Sequence, residues 1–333
     1  MNQWIERIKQ FLPTARIGKI QAQVVDTEDK DIVIGMLQSL SMKEYSASLF
    51  ADFGFTIIDE VHHISSQVFS CALFKIVSKY MLGLSATMNR KDGMTHVFKM
   101  FLGDVVYKSV RKDEFNVVVR AFSYVNNDPE FSEVELDFRG NVAYSTMIAK
   151  LCKCHDRSEF ILRILGDLLK QKDEKMQIMI LAHNKNLLKY LYDAIETRNM
   201  STVGYYVGGM KEASLKESET KQVIIATYSM AAEALDIKTL NTLIMATPKT
   251  DIEQAVGRIL RDKHGNPLVI DIMDQHKPFK NQWSKRRAFY NKQNYKIIYD
   301  NKHDEEESSN DSSDTEKYQP KKCMINIDEI ADS

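Results

Sequence analysis

The second half of the chain alternates between short apolar runs and longer segments with helical periodicity. The apolar runs, rich in Val, Ile and Leu, lie at residues 177–182, 222–227, 242–246 and 267–272. The helical patterns lie at residues 158–170, 186–198 and 251–261. Strands that are separated by helices pair in parallel, because the helix carries the chain back across a face of the sheet. The pattern therefore predicts an α/β fold with mainly parallel sheets.

Composition changes along the chain predict four regions. These are a first α/β lobe, a connection, a second α/β lobe, and a basic helix with an acidic tail, at residues 1–125, 126–140, 141–280 and 281–333 in that order. The first lobe is expected to end in strands at 102–110 and 115–124, which are rich in β-branched residues. The connection is polar and contains Pro129. Residues 303–317 are acidic and Ser-rich without apolar content, and we expect them to be disordered.

Charge and cysteine content exclude several classes of protein. The 333 residues contain 45 Lys and Arg against 46 Asp and Glu, so only a local groove can attract nucleic acid. Cys71, Cys152, Cys154 and Cys323 are too scattered for a disulfide framework, which favours an intracellular, reducing compartment. Cys154 and His155 have no second Cys/His pair near them, so we interpret these cysteines as ordinary ones. No apolar run approaches the roughly 20 residues of a membrane span, and we expect no membrane contact.

An apolar run at residues 55–58 ends abruptly in Asp59 and Glu60, with His62 and His63 just beyond. This pattern is typical of a buried parallel strand that carries acids to the edge of a sheet, where ligands bind in open α/β folds. One acid can hold Mg²⁺ while the other orients a water. The same residue types could form a metal-hydrolase or nuclease site, although no H-E-x-x-H spacing is present.

A helical stretch at residues 251–261 carries Gln254, Arg258 and Arg261 on one face, with Gly257 between them. Arginine binds phosphate oxygens in a bidentate manner and neutralises the charge that develops during phosphoryl transfer. The pattern therefore favours a site for a nucleoside triphosphate over a solvated helix face. We expect Gly257 to remove bulk where another backbone approaches.

In their order and spacing these residues resemble the motifs of superfamily 2 helicases of the DExH kind. The similar segments are residues 59–62 for motif II, 84–87 for motif III, 180–184 for motif IV, 225–227 with 233–237 for motif V, and 254–261 for motif VI. The run at 87–93 resembles the XPB and UvsW branch, and helicases of large nucleocytoplasmic DNA viruses share this style. A viral source would place the protein in the virion or in the host cytoplasm or nucleus.

The resemblance implies two RecA-like lobes that bind ATP and Mg²⁺, and it implies a role for each motif residue. Asp59 would hold Mg²⁺ and Glu60 would activate the attacking water. The other predicted nucleotide-site residues are His62, which would couple to Ser85 and Thr87; Arg258 and Arg261, which would reach the γ-phosphate; Asp236, which would sense the ribose; and Gln254 and Gly257 of motif VI. The predicted contacts with nucleic-acid phosphates are Gln38, Ser39, Arg90, Thr227 and Tyr228.

The sequence departs from this family in one respect. It contains no P-loop, G-x-x-x-x-G-K followed by Ser or Thr, and in Gly18-Lys19-Ile20 an isoleucine replaces the hydroxyl. We therefore expect an incomplete first lobe, with Met1 internal to a longer frame or the P-loop on a separate N-terminal fragment that acts as a partner. The predicted function is an ATP-dependent DNA helicase or translocase in repair, recombination or transcription. The alternative is a truncated nucleic-acid-binding module without ATPase activity of its own.

Overall fold

The computed structural model describes residues 1–61, 67–76, 78–85, 95–108, 116–171, 176–233, 237–259 and 267–300. The chain divides into two compact units, residues 1–111 and residues 112–333. The predictions for His62, Thr87, Arg90, Asp236, Arg261 and the acidic tail lie outside the described residues.

The first unit combines short strands with short helices. Its helices are α1 (Asn2–Phe11), α2 (Leu37–Met42), a 3₁₀ turn (Ala47–Phe50), α3 (Gln67–Lys75) and α4 (Thr95–Leu102). Its strands are β1 (Ile17–Gln21), β2 (Val24–Asp26), β3 (Ile32–Gly35), β4 (Phe55–Ile58) and β5 (Tyr80–Gly83). In the described residues these strands form two separate sheets: β2-β1-β3, in which β1 and β3 are parallel, and the parallel pair β4-β5.

The acid-bearing strand β4 is more exposed than its sequence predicts. Phe55 is 53% exposed and Ile57 48% exposed, while Thr56 and Ile58 on the other face are partly covered. The expectation of a fully buried strand was therefore wrong. An apolar run is buried on both faces only where elements cover both sides of the sheet, and among the described residues β4 pairs with β5 alone.

The second unit is larger and more regular. Its strands are β6 (Val118–Tyr124), β7 (Gln177–Ala182), β8 (Val203–Tyr206), β9 (Val223–Thr227), β10 (Leu240–Met245), β11 (Leu268–Asp274) and β12 (Lys296–Asp300). Its helices are α5 (Pro129–Ser132), α6 (Tyr144–Lys153), α7 (His155–Leu169), α8 (Lys185–Thr197), α9 (Glu212–Ser218), α10 (Tyr228–Glu233), α11 (Glu253–Arg258) and α12 (Lys277–Lys292).

A seven-stranded sheet with the order β12-β6-β11-β10-β7-β9-β8 forms the core of this unit, and every neighbouring pair in it is parallel. All six residues of the central strand β7 are buried, as expected for a strand covered on both faces. Alternate strand residues enter two apolar clusters. The cluster on one face includes residues of α6, α7 and α8 together with Phe279 at the start of α12, and that on the other includes residues of α10 and α11 together with Trp283 and Tyr290 of α12. This arrangement confirms the predicted α/β fold and is consistent with RecA-like helicase lobes.

Three predictions between residues 100 and 140 need correction. Residues 103–108 form no strand, and Leu102 ends helix α4 instead. The strand predicted at 115–124 is real, but it pairs with β11 and β12, so it belongs to the second unit and the division falls near residue 111 rather than 125. The polar connection contains α5, whose Phe131 is buried beside His276. Strands β6 and β11 pair although about 150 residues separate them in the sequence, so no local signal could reveal this pairing.

Within the described part of the chain, no helix has both the length and the apolar character needed to cross a membrane.

Candidate functional site

The two predicted acids and Ser85 lie at the same edge of the β4-β5 sheet. The amide of Leu84 donates to the carbonyl of Ile58 at 2.8 Å, and the amide of Val61 donates back to the carbonyl of Leu84 at 3.0 Å. These two bonds continue the pairing of β4 and β5 past the ends of both strands. Asp59 and Glu60 therefore lie at the same edge of the sheet as Ser85, as expected where parallel strands end together.

The Asp59 carboxylate is oriented by two donors. Its Oδ1 accepts the backbone amide of Glu60 at 2.9 Å, and its Oδ2 accepts the indole Nε1 of Trp4 at 3.0 Å. Glu60 has a positive φ of 49°, a conformation that non-glycine residues seldom adopt outside sites that need it. The role of Trp4, 55 residues away in α1, was missed by the sequence reasoning. A tryptophan near an N-terminus gives no signal of its partner.

The residues present at this edge fit a magnesium ion. The exposed Asp59 carboxylate keeps acceptor capacity on both oxygens beyond its two hydrogen bonds. Among the described residues no group of three or more His, Cys, Asp or Glu side chains is arranged to hold a metal. Mg²⁺ usually takes one or two protein carboxylates and completes its shell with waters and substrate phosphates, so one carboxylate is a sufficient protein contribution.

The two predicted nucleic-acid residues of the first unit lie in α2, which directly follows β3. The Gln38 side chain is exposed. The Ser39 hydroxyl accepts the amide of Ala22 at 2.9 Å, and Ala22 has a positive φ of 51° in the turn between β1 and β2. Ser39 therefore stabilises a tight turn, while Gln38 is the residue of this pair that can reach a ligand.

The two predicted nucleic-acid residues of the second unit differ in the same way. Thr227 is partly exposed at the end of β9, and its hydroxyl lies 3.2 Å from that of Ser229. Tyr228 does not continue the strand; it begins α10 and is only 4% exposed. Its hydroxyl donates to the carbonyl of Thr247 at 2.5 Å, and burial raises its pKa. The geometry therefore makes Tyr228 a core residue and contradicts its prediction as a phosphate contact.

Residues 246–249, which lead from β10 towards α11, are held by side chains from four different helices. Each of four successive carbonyls accepts one hydrogen bond: Ala246 from Arg157 at 2.7 Å, Thr247 from Tyr228, Pro248 from Tyr144 at 3.1 Å and Lys249 from Arg286 at 3.1 Å. Backbone groups outside a helix or sheet need such partners when water cannot reach them. The path into the arginine-bearing helix α11 is therefore fixed by the interior of the second unit.

Two buried ion pairs support this segment. Arg157 and Asp274 are both fully buried and are joined by two hydrogen bonds of 2.6 and 2.8 Å. Arg286 and Asp271 form a second bidentate pair at 2.7 and 2.8 Å, and Tyr290 donates to the same carboxylate at 2.8 Å. Burial alone would lower the pKa of Arg286, but the charge of Asp271 and its hydrogen bonds outweigh that effect and raise it. Both arginines are therefore charged and positioned with little freedom.

His183, at the end of β7, contacts the same segment. The Thr247 hydroxyl accepts the His183 amide at 3.1 Å and lies 2.8 Å from ring Nδ1. Burial and the nearby charge of Lys249 lower the pKa of His183. A neutral ring lets the Thr247 hydroxyl donate to Nδ1 while it accepts from the backbone. Lys249 in turn lies over the Tyr228 ring, 4.9 Å from its centroid, and burial lowers the pKa of Lys249.

Helix α11 carries the residues of the second predicted constellation. Its backbone includes Gln254, Gly257 and Arg258, and Arg258 is half-buried. The Gln254 side chain lies outside the described residues. A Cβ atom added at Gly257 would meet no described atom within 4 Å, so the glycine borders open space. No neighbour among the described residues requires a glycine there, which leaves its predicted role, the approach of another backbone, as a proposal.

Two family matches lie one in each unit, in the expected order. Residues 1–90 match the family described as Type III restriction enzyme, res subunit, and residues 159–263 match the Helicase conserved C-terminal domain. Together with the fold, these matches support helicase superfamily 2, the class that the motifs predict.

Relatives in large DNA viruses extend over nearly the whole chain. A protein of Acanthamoeba polyphaga mimivirus, named as an ATP-dependent RNA helicase, is 37% identical over 343 residues that include 99% of this chain and 64% of that protein. A protein of African swine fever virus with the same kind of name is 26% identical over 89% of this chain and 62% of its own length. The chain thus spans slightly less than two thirds of the length of these relatives.

A solved structure agrees with the fold. The structure described as S. cerevisiae Dbp5 bound to RNA and ADP BeF3 aligns with 90% of this chain and 74% of its own length, at a TM-score of 0.58 and 13% identity. At this identity the likeness concerns the fold alone.

Proposed function

We propose that the chain is part of an ATP-dependent helicase or translocase that couples ATP hydrolysis to the remodelling of nucleic acid. The observation that carries the proposal is the edge at which Asp59, Glu60 and Ser85 meet, in a chain whose motifs follow the helicase order. The family matches and the viral relatives support the class. DNA as the substrate, the DExH type, the XPB and UvsW branch and action inside a virus-infected cell are further parts of this proposal.

In the proposed reaction, residues of this chain would bind Mg–ATP, orient the attacking water and neutralise charge on the phosphates. Asp59, oriented by Trp4, would hold the magnesium ion of Mg–ATP, and the ion supplies charge neutralisation on the phosphates when it is bound. Glu60 would position the attacking water and take its proton. Arg258, on a helix whose entry is fixed by residues 246–249, would bind the phosphate oxygens.

Two residues would contact the nucleic-acid backbone in this proposal. Gln38 and Thr227 have side chains that are exposed or partly exposed at the ends of strands or in the helix just beyond. Amide and hydroxyl groups bind phosphate and sugar oxygens without reading bases, so these contacts would position a strand rather than select a sequence. Ser39 and Tyr228 would act indirectly, through the turn and the segment that they hold.

The test is ATP hydrolysis by the purified protein with and without nucleic acid. Glu60→Gln keeps the size of the side chain and removes the base, and we expect a loss of about 10²–10⁴-fold in turnover, the usual contribution of a general base. Glu28→Gln, an exposed acid in the turn between β2 and β3, is the matched control and should retain wild-type turnover. Equal turnover in the Glu60→Gln and wild-type proteins would refute the assigned role.

The alternative is a nucleic-acid-binding module without ATPase activity of its own. One observation favours it: the 333 residues contain no P-loop, the segment whose amides and lysine cradle phosphates in this family. The same assay separates the two proposals. Nucleic-acid binding without any hydrolysis supports the module, whereas hydrolysis that depends on Glu60 excludes it.

A further inference from the structure

Helix α12 is the most one-sided charged element in the described chain. Its sixteen residues, KPFKNQWSKRRAFYNK, contain six basic residues and no acidic one. One face is buried through Phe279, Trp283, Arg286 and Tyr290, which recur at spacings of four, three and four residues. Only Arg286 among the six basic residues belongs to that face, where it is paired with Asp271. The other five remain to be explained, in a protein whose formal net charge is −1.

These five residues form the outer face of α12, which we name the basic face: Lys277, Lys280, Lys285, Arg287 and Lys292. All five are exposed, and none forms an ion pair with any residue that the structure describes. Residues seven apart lie on one line of a helix, so Lys280 aligns with Arg287 and Lys285 with Lys292. At about 1.5 Å per residue the basic face is roughly 22 Å long.

We infer that the basic face of α12 binds the phosphodiester backbone of nucleic acid. Five like charges held on one rigid helix create a local positive potential, and a nucleic-acid strand offers a row of anions on the same scale. The proposal rests on the proposed function, which supplies nucleic acid as the substrate. It goes beyond the helicase motifs, because no motif residue lies on α12.

The chemistry of the basic face indicates how it would bind. Between the basic residues lie the exposed Asn281, Ser284, Ala288 and Asn291, so the face offers no aromatic ring on which a base could stack. Binding through phosphates alone positions a strand without reading its sequence. On the opposite face of the same helix, Arg286 donates to the carbonyl of Lys249, which lies in the segment that leads to α11. The basic face therefore lies on the same side of the seven-stranded sheet as Arg258.

The test compares two triple variants with the same charge change. Lys280→Gln, Lys285→Gln and Arg287→Gln together remove three charges from the basic face. Lys153→Gln, Arg163→Gln and Lys189→Gln remove two lysines and one arginine from exposed positions on α6, α7 and α8, against the other face of the sheet. Fluorescence anisotropy with a labelled single-stranded DNA and an RNA of the same sequence measures the affinity at several salt concentrations.

We expect the basic-face variant to bind about fifty-fold more weakly at 0.15 M salt, since each contact with a single strand contributes roughly 0.7 to the salt slope and thus about fourfold in affinity. The slope of log affinity against log salt should fall by about 2. The control variant should bind like the wild type. DNA and RNA should lose affinity alike, because their backbones share the phosphodiester.

An unchanged affinity and salt slope in the basic-face variant would overturn the inference. A rise in affinity would also overturn it, because it would identify the acidic segment at residues 303–317 as the occupant of the basic face. A wild-type protein that binds neither DNA nor RNA would instead contradict the proposed function. Thermal unfolding of both variants separates lost contacts from lost folding.

Discussion

Removal of the Arg286 guanidinium tests the interior that holds residues 246–249. In Arg286→Met the Asp271 carboxylate, 1% exposed, loses its countercharge, and the Lys249 carbonyl loses its donor. Breaking a buried pair by removing one partner costs about 3–5 kcal/mol, because a buried charge is left uncompensated. For a unit of this size, 1 kcal/mol corresponds to a shift of about 2–4 °C in the midpoint of thermal unfolding. We therefore expect the midpoint to fall by roughly 6–20 °C.

A second variant distinguishes the cost of the orphaned charge from the loss of a large side chain. Arg286→Met combined with Asp271→Leu removes both charges, and we expect it to recover most of the loss, to within about 2 kcal/mol of the wild type in urea unfolding. The remaining cost comes from the Tyr290 hydroxyl and the Lys249 carbonyl, which lose their partners. Arg287→Met, the same substitution on the exposed face, is the control. A single variant within about 1 kcal/mol of the wild type, or a double variant as unstable as the single one, would refute this reasoning.

Three further predictions follow from single side chains. Gly257→Ala should raise the free energy of unfolding by about 0.5–1 kcal/mol, since the added methyl group meets no described atom. The same variant should reduce nucleic-acid-stimulated ATP hydrolysis, because the methyl group would occupy the space proposed for another backbone. Unchanged hydrolysis would contradict that role. NMR titration should give His183 a pKa below 6.5. Lys249→Gln should restore only part of the lost pKa, because burial is the larger cause of the shift. The free energy of unfolding should therefore fall as the pH drops below 6.5, where the unfolded chain takes up a proton more readily than the folded one. The pKa of Glu159 is lowered to about 2 by hydrogen bonds from Arg198 and Tyr190, so this ion pair should contribute about 0.5–1 kcal/mol above pH 4.5 and lose it as pH falls towards 2. Arg198→Gln should weaken that dependence in acid unfolding, because only the Tyr190 hydrogen bond then remains, and an unchanged dependence would contradict it.

The sequence predicts the second unit well, because its strands are continuous apolar runs that a parallel sheet buries on both faces. The predicted strand 177–182 coincides with β7. The ends of β9, β10 and β11 lie no more than two residues from their predicted positions. The acid-bearing strand β4 shows the limit of that reasoning. Its apolar residues are the same kind, but burial depends on which elements cover them, and that information is not local.

In the candidate site, too, some residues could be predicted from the sequence and others could not. The acids were predicted because strand ends carry ligand-binding residues, and Ser85 because its segment resembles motif III; the structure brings these residues to one edge. Tyr228 was misassigned because helix α10 begins directly after β9, and its side chain is buried in the core. Arg286 was missed although a signal existed: it lies on the apolar stripe with Phe279 and Tyr290, and a cation on such a stripe must have a buried partner. The partner itself, Asp271, belongs to a strand and could not be identified from spacing.

The most direct test of the account is ATP-driven strand separation. Short DNA and RNA duplexes with single-stranded ends, labelled for fluorescence, would be mixed with the wild-type protein and with Glu60→Gln, in ATP or in a non-hydrolysable analogue. We predict strand separation by the wild type in ATP alone, and none by Glu60→Gln, which should still bind both duplexes. Separation that proceeds equally in the analogue or in Glu60→Gln would contradict the claim that Asp59 and Glu60 serve an ATP-dependent helicase.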